Sequence, residues 1–239
     1  MKDLHSHILP GVDDGSKSLE QTELMLKSAY DNGVTDIMLT PHYVPDSKFS
    51  SPCVVNKNIF DDVKEIAKRY DINVYLGNEV YLTHDIVKYI KKGHIASLNN
   101  SRYILFEIPM HQKFNNIKSV FIEVMNLGFR PILAHPERYS AYLDNVDFFE
   151  ELRDMGVLLQ INYPSLLGMY GLRPKRMAKK LLKKGLISFV GSDIHDSSEG
   201  KYEAIKKMNK KLKWIVGKDK FEEITELNFD LLVKNEEIF

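Results

Sequence analysis

The sequence has little with which to build several common kinds of site. It contains one cysteine, Cys53, in 239 residues. No intrachain disulfide can form, and no thiolate zinc module is possible. A cysteine-based phosphatase would need Cys-x5-Arg, but Ile59 stands six residues after Cys53. Cys53 therefore reads as a residue of a helix start or a loop. There is no Gly-x4-Gly-Lys loop, no Gly-x-Gly-x-x-Gly and no Gly-x-Ser-x-Gly elbow. These absences remove the nucleotide-loop folds and the serine hydrolases. No apolar run approaches the roughly 18 residues of a membrane span. The start, Met1-Lys2-Asp3-Leu4-His5, carries no apolar signal core. A cytoplasmic protein with no membrane span is expected. Charge of one sign is also missing: Lys+Arg and Asp+Glu are 33 each. Without a basic excess, a nucleic-acid partner is not expected.

What is present is an ordinary globular composition, 44% hydrophobic and 28% charged. Seven apolar, β-rich runs begin near Asp3, Val34, Ile72, Arg102, Arg130, Val157 and Ile187. Helix-like segments lie between them, near 55–70, 115–127, 145–155, 174–184 and 201–212. A last helix near 219–234 is expected to pack on the outside. Ser18 and Gln21 read as a capping box for a first helix that stops at Gly33. Strand–helix units at this spacing need a parallel sheet. Strands apolar throughout fit burial on both faces. The expected fold is α/β: one domain over residues 1–239, a (β/α) barrel with seven repeats, with an open doubly wound sheet as the alternative.

The ionisable residues fall in one kind of place. His5, His7, His42, His135 and His195 lie at or just past expected strand ends, as do Glu79, Glu107 and Asp193. Barrel enzymes place their chemistry there. His5 and His7 are two apart on a strand and share a face, as do Asp193 and His195. Asp13 and Asp14 follow in the first loop, and one of the two is counted as a ninth candidate. One such histidine alone would read as a hydrogen-bonded structural residue. Nine nitrogen and oxygen ligands at one rim read as a metal cluster, because buried charges need partners. Nine exceed the needs of one ion and suit two or three divalent ions. Imidazole with carboxylate and no thiolate favours manganese, iron or zinc. Clusters of this kind hydrolyse esters, often at phosphorus. Arg138, three residues after His135, can reach the same rim, where a guanidinium suits a phosphoryl group. Its plainer reading is a surface ion pair. His84, His94 and His111 fall outside the pattern and are assigned to loops and surface. The Lys-rich stretch 201–213 reads first as a solvated helix face, and second as a dock for an acidic partner or anionic lipid.

His5-Ser6-His7, Val12-Asp13-Asp14-Gly15, Thr40-Pro41-His42, Gly77-Asn78-Glu79, Phe106-Glu107, His135-Pro136-Glu137-Arg138-Tyr139 and Gly191-Ser192-Asp193-Ile194-His195 together resemble the PHP (polymerase and histidinol phosphatase) superfamily. Within it, the chain is similar to the bacterial tyrosine-protein phosphatases of capsule and exopolysaccharide loci. The resemblance implies a distorted (β/α)7 barrel with a trinuclear centre. It places His5, His7, Glu79 and Asp193 on one ion. Glu79 would bridge to a second, held by Glu107 and His135, and Asp14, His42 and His195 would hold the third. Asp14 rather than Asp13 aligns with the family's ligand. Manganese is the first expectation, with iron, zinc or magnesium as alternatives. The implied activity is protein-tyrosine phosphatase, through attack of a metal-bridging hydroxide. Its implied partner is a tyrosine autokinase that controls polysaccharide synthesis. Arg138 matches the family's phosphate-binding arginine. Relatives carry a second arginine after the last histidine, where this chain offers only Lys201 for the substrate. His42 and Asp196 are the candidate proton donors for the leaving group. The enzymatic alternative is a small-molecule phosphoesterase such as histidinol-phosphate phosphatase. A non-catalytic metal-binding module and a nuclease rank lower.

Overall fold

The computed structural model describes residues 1–50, 53–143 and 145–239, apart from the side chains of residues 53–55. The chain opens with β1 (Lys2–Ser6), and Ser18 then caps α1 (Leu19–Asp31) by accepting from the Gln21 amide at 3.3 Å. The other half of the expected capping box is shifted by one residue, because Gln21 accepts from the Lys17 amide. Gly33, at φ +79°, ends the turn that leaves the helix.

The second and third apolar runs each break into two strands. They are β2 (Asp36–Leu39) with β3 (His42–Tyr43), and β4 (Asn73–Leu76) with β5 (Glu79–Tyr81). Between the two pairs lies α2 (Cys53–Lys68), so Cys53 does stand at a helix start, although its side chain lies outside the described residues. Pro41 has no N–H for the ladder, which breaks the first pair. Gly77 breaks the second: a Cβ there would stand 2.5 Å from Leu98 Cδ2 and 3.0 Å from Leu98 Cα. After α3 (Ile86–Lys91), the fold alternates β6 (Tyr103–Glu107), α4 (Ile117–Asn126), β7 (Arg130–Ala134), α5 (Val146–Asp154) and β8 (Leu158–Asn162). It continues with α6 (Tyr163–Leu167), α7 (Leu172–Lys183), β9 (Phe189–Gly191) and α8 (Ile205–Val216).

All strand pairs are parallel, in the orders β1-β2-β4 and β3-β5-β6-β7-β8-β9. The two kinked strands belong to both sheets. β1 and the end of β9 meet through Asp193 N to His5 O at 2.8 Å and His7 N to Ile194 O at 2.9 Å. The result is a distorted seven-stranded α/β barrel, as expected.

Side chains alternate along the strands. Leu4, Met38, Leu105, Ile132, Leu158 and Phe189 fill the interior, while Ile37, Ile104, Leu133, Leu159 and Val190 pack under the helices. Farther along, the interior positions become polar: Glu107 on β6, and Gln160 and Asn162 on β8. β1 has a register shift between Asp3 and Ser6. That bulge lets Leu4 and then His5 both face inward, so the strand moves from apolar floor to polar rim in one residue.

The end of the chain departs from expectation. A short α9 (Lys218–Glu222) runs through a π turn into α10 (Asn228–Val233). Phe229, Leu232 and Ile238 join the interior cluster with Leu4, Leu105 and Leu158. The last helix does not lie on the outside of the barrel; it closes the floor. The physical reason is the apolar end of the barrel lumen, which needs a cover opposite the polar rim.

Candidate metal centre

Every rim residue expected from the sequence converges. His5, His7 and Asp193 offer ligand atoms within 4.8 Å of one another, and so do three overlapping groups. These are His5, Glu79 and His135; His42, Glu79 and Glu107; and His7, Asp14, His42 and His195. Two carboxylates sit at the middle. Glu79 Oε2 lies 3.2 Å from His5 Nε2, 3.3 Å from His7 Nε2 and 3.1 Å from His42 Nδ1. Asp193 Oδ1 lies 3.5 to 3.7 Å from His5, His7 and His195.

The far sides of the rings show how they are aimed. His7 Nδ1 donates to Asp13 Oδ2 at 2.8 Å, His5 Nδ1 to Gln160 Oε1 at 3.1 Å, and His195 Nδ1 to the Asp193 carbonyl at 3.0 Å. Each bond fixes the tautomer and leaves Nε2 as a lone pair facing the centre. His5 Nε2 and His7 Nε2 then face each other at 3.1 Å. Two lone pairs at that distance repel unless a proton or a cation lies between them. Glu79 Oε2, His42 Nδ1 and His135 Nδ1 are also buried without a hydrogen-bond partner. This donor set fits divalent metal.

The backbone contributes too. His135 and Asp193 are both left-handed, at φ 32° and 53°. Leu133 faces outward, so a regular strand would aim His135 outward as well. The left-handed turn brings it to Glu79 Oε1 at 2.8 Å. Such backbone is costly for non-glycine residues and concentrates at functional sites.

Electrostatics follow from crowding. Burial alone would raise Glu79, but the His5 and His42 imidazoles hold it well below the carboxylate range. Burial opposes Asp13 as well, yet His7 brings it to about 2. Glu107 goes the other way, well above its ordinary value, through burial and then through Glu79 and Asp193. His195 falls to about 4 through burial and its neighbour His7. His5 and His7 go up in spite of their burial, His5 through Glu79 and Asp193 and His7 chiefly through Asp13. Binding metal to this rim therefore has to release protons from it.

Arg138 donates to Asp193 Oδ2, and its guanidinium stacks on the Tyr170 ring at 4.5 Å. It belongs to the rim, and its partner is a rim carboxylate rather than a surface one. Lys201 is only 4% exposed. Its ammonium donates to the Asp193 carbonyl and pairs with Glu199 at 3.2 Å. At most one of its three N–H bonds is left for a substrate. Asp196 caps the turn Ser197–Glu199, and hydrogen bonds from Ser198 lower its pKa, so it stays ionised and makes a poor proton donor. His84 stacks on Phe114, His94 meets Tyr43 and His111 meets Ser140, all apart from the rim as expected.

Several supporting residues were not singled out from the sequence. Gln160 holds His5, Asn162 Nδ2 donates to Asp193 Oδ2 at 2.7 Å, and Tyr170 carries Arg138. Glu137 is fully buried and accepts from Asn162 N at 3.0 Å and Ser165 Oγ at 2.7 Å. The polar alternation Gln160-x-Asn162 inside an apolar strand was the available signal.

A family model described as capsular polysaccharide synthesis, CpsB/CapC, matches residues 1–234. The chain belongs to the CpsB/CapC family. The tyrosine-protein phosphatase CpsB of Streptococcus pneumoniae is 36% identical over 203 residues, covering 82% of this chain and 83% of that protein. A solved structure described as YwqE from Bacillus subtilis and CpsB from S. pneumoniae, unique metal-dependent tyrosine phosphatases, superposes with a TM-score of 0.92 at 28% identity. It covers all of this chain and 96% of that one. Histidinol phosphate phosphatase from Lactococcus lactis, solved with zinc, L-histidinol and phosphate, shares the fold at TM-score 0.59 and 13% identity, over 88% and 94% of the two chains. CpsB/CapC membership thus rests on nearly the whole chain, including every rim residue above.

Proposed function

We propose that this CpsB/CapC protein is a metal-dependent protein-tyrosine phosphatase. The observation that carries the reading is the buried Glu79 Oε2, unpartnered and within 3.3 Å of three histidine nitrogens. It lies beside an arginine aimed by Asp193. His5, His7, Asp14, His42, Glu79, Glu107, His135, Asp193 and His195 would hold two or three divalent ions, manganese first among them. When bound, such ions clamp phosphoryl oxygens and acidify a water. The chain's own groups do the rest. Asp13, Gln160 and the Asp193 carbonyl keep Nε2 of His7, His5 and His195 turned inward. Arg138, oriented by Asp193 and Tyr170, presents its remaining N–H groups to the phosphoryl oxygens and stabilises the charge that develops there. Lys201 steadies the left-handed Asp193 turn and offers its last N–H to the same group. A phenol has a pKa of about 10, so tyrosinate is a modest leaving group that asks for little protonation.

The substrate in this reading is a tyrosine autokinase of polysaccharide synthesis, met in the cytoplasm. An exposed phosphorylated tail reaches a barrel mouth more readily than a folded surface does. Residues 1–239 act as one domain, since the last helix closes the barrel that the first strand opens. The test compares catalytic efficiency on a phosphotyrosine peptide with that on histidinol phosphate. A clear preference for the peptide supports the reading. A preference for histidinol phosphate keeps the metal centre and moves the substrate to small phosphoesters.

A further inference from the structure

The chain is neutral overall, yet eleven of its 33 basic residues lie on α7 and α8, and neither helix carries an Asp or Glu. On α8, Lys207, Lys210, Lys211 and Trp214 recur at three- and four-residue intervals and share one face. On α7, Lys175 and Lys179 are four apart. Among the described residues, none of these lysines forms an ion pair; Lys211 donates to the Leu166 carbonyl. Leu167, Lys175, Lys207, Lys210, Lys211 and Trp214 line a groove of about 560 Å³, and Trp214 is 81% exposed. Burial and the neighbouring Lys175, Lys179 and Lys207 all push the Lys211 ammonium towards its neutral form, as expected where like charges meet without an anion. Like charges at these helical spacings destabilise the helix.

The groove reaches the loop that carries Tyr170. Leu167 ends α6, and three residues on, Tyr170 carries the guanidinium of Arg138. Lys175 Nζ lies 3.5 Å from where a Cβ on Gly168 would stand, so the lysines begin beside that same loop. We propose that the α7–α8 groove binds an acidic stretch of the same polypeptide whose phosphotyrosine enters the metal centre. This rests on the phosphatase reading and adds a sequence preference to it. The lysines pair with carboxylates flanking the phosphotyrosine, and Trp214 and Leu167 cover the apolar stems between them. The concave shape and the reach to the Tyr170 loop favour a peptide over a membrane surface.

The test uses the full chain and the double variant K207E/K210E, which leaves every rim residue in place. Three substrates are compared: a phosphotyrosine peptide flanked by glutamate, one flanked by lysine, and free phosphotyrosine. The wild type should favour the glutamate-flanked peptide, less so at high salt. The variant should raise KM for that peptide roughly tenfold, with kcat and turnover of free phosphotyrosine unchanged. Equal KM values in the two proteins would overturn the groove. Binding of an unphosphorylated glutamate-rich peptide is measured alongside. It should weaken in the variant even if no phosphotyrosine substrate is hydrolysed, which separates the groove from the activity. Loss of binding to phosphatidylglycerol vesicles with peptide KM unchanged would assign the face to a membrane and contradict the proposal.

Discussion

His7 Nδ1 donates a hydrogen bond to Asp13 Oδ2, while the next residue, Asp14, turns its own carboxylate to within 3.6 Å of His42 and His195. Two adjacent aspartates thus take different places: Asp13 orients His7 from behind, and Asp14 faces the rim beside His42 and His195. Asp13→Asn should keep the fold and weaken metal binding by roughly 10- to 100-fold, the usual cost of losing an orienting partner. Metal titration followed by turnover measures it. Excess metal should restore most activity, whereas Asp14→Asn should respond less.

Arg138→Ala should lower kcat/KM by roughly 10²- to 10³-fold, as removal of a group that stabilises transition-state charge does. Metal content, read by elemental analysis, should stay near wild type. Arg138→Lys should recover little, because an ammonium cannot donate to Asp193 and the substrate with one planar fork. His135→Ala should lose turnover and metal together while thermal unfolding remains cooperative.

Gly191 passes close to His5. A Cβ there would stand 2.6 Å from His5 Cβ and 2.8 Å from Gln160 Nε2. Gly191→Ala should displace His5 and cut metal occupancy while retaining secondary structure by circular dichroism. Full occupancy in that variant would show that His5 is not held by this packing.

Glu137 supplies a pH signature. Burial raises its pKa from 4.5 to about 7. The folded state therefore holds a proton that the unfolded state releases. The stability from this group is complete below pH 4.5 and is lost as pH rises through 7. The difference is about 3 kcal/mol. Chelated wild type should lose stability across that window in urea melts, and Glu137→Gln should show a flatter profile. Identical slopes would mean that Glu137 ionises freely in the folded state.

Much of the site was legible because metal ligands are polar residues at the ends of apolar strands, a contrast visible in one dimension. Asp14 and Asp13 could be ranked only by resemblance, and the structure shows why: they differ in which way one loop turns. The breaks at Pro41 and Gly77 were readable as turn-formers but not as crossings between two sheets, since that depends on Leu98 pressing against Gly77. The bulge in β1 leaves no mark on the pattern Leu4-His5-Ser6-His7. The placement of the last helix was misread because an amphipathic helix buries one face equally well on the outside of a barrel or over its floor. The left-handed turns at His135 and Asp193 are backbone facts that side-chain identity does not announce.

The central claim is that phosphotyrosine hydrolysis depends on metal held around Glu79. The most direct measurement is a metal titration of chelated protein, wild type beside Glu79→Gln, reading turnover of a phosphotyrosine peptide at each step. The account predicts no turnover without metal, recovery in the wild type on adding manganese, and little recovery in the variant at any concentration. Full turnover in the chelated wild type, or equal recovery in both proteins, would contradict it.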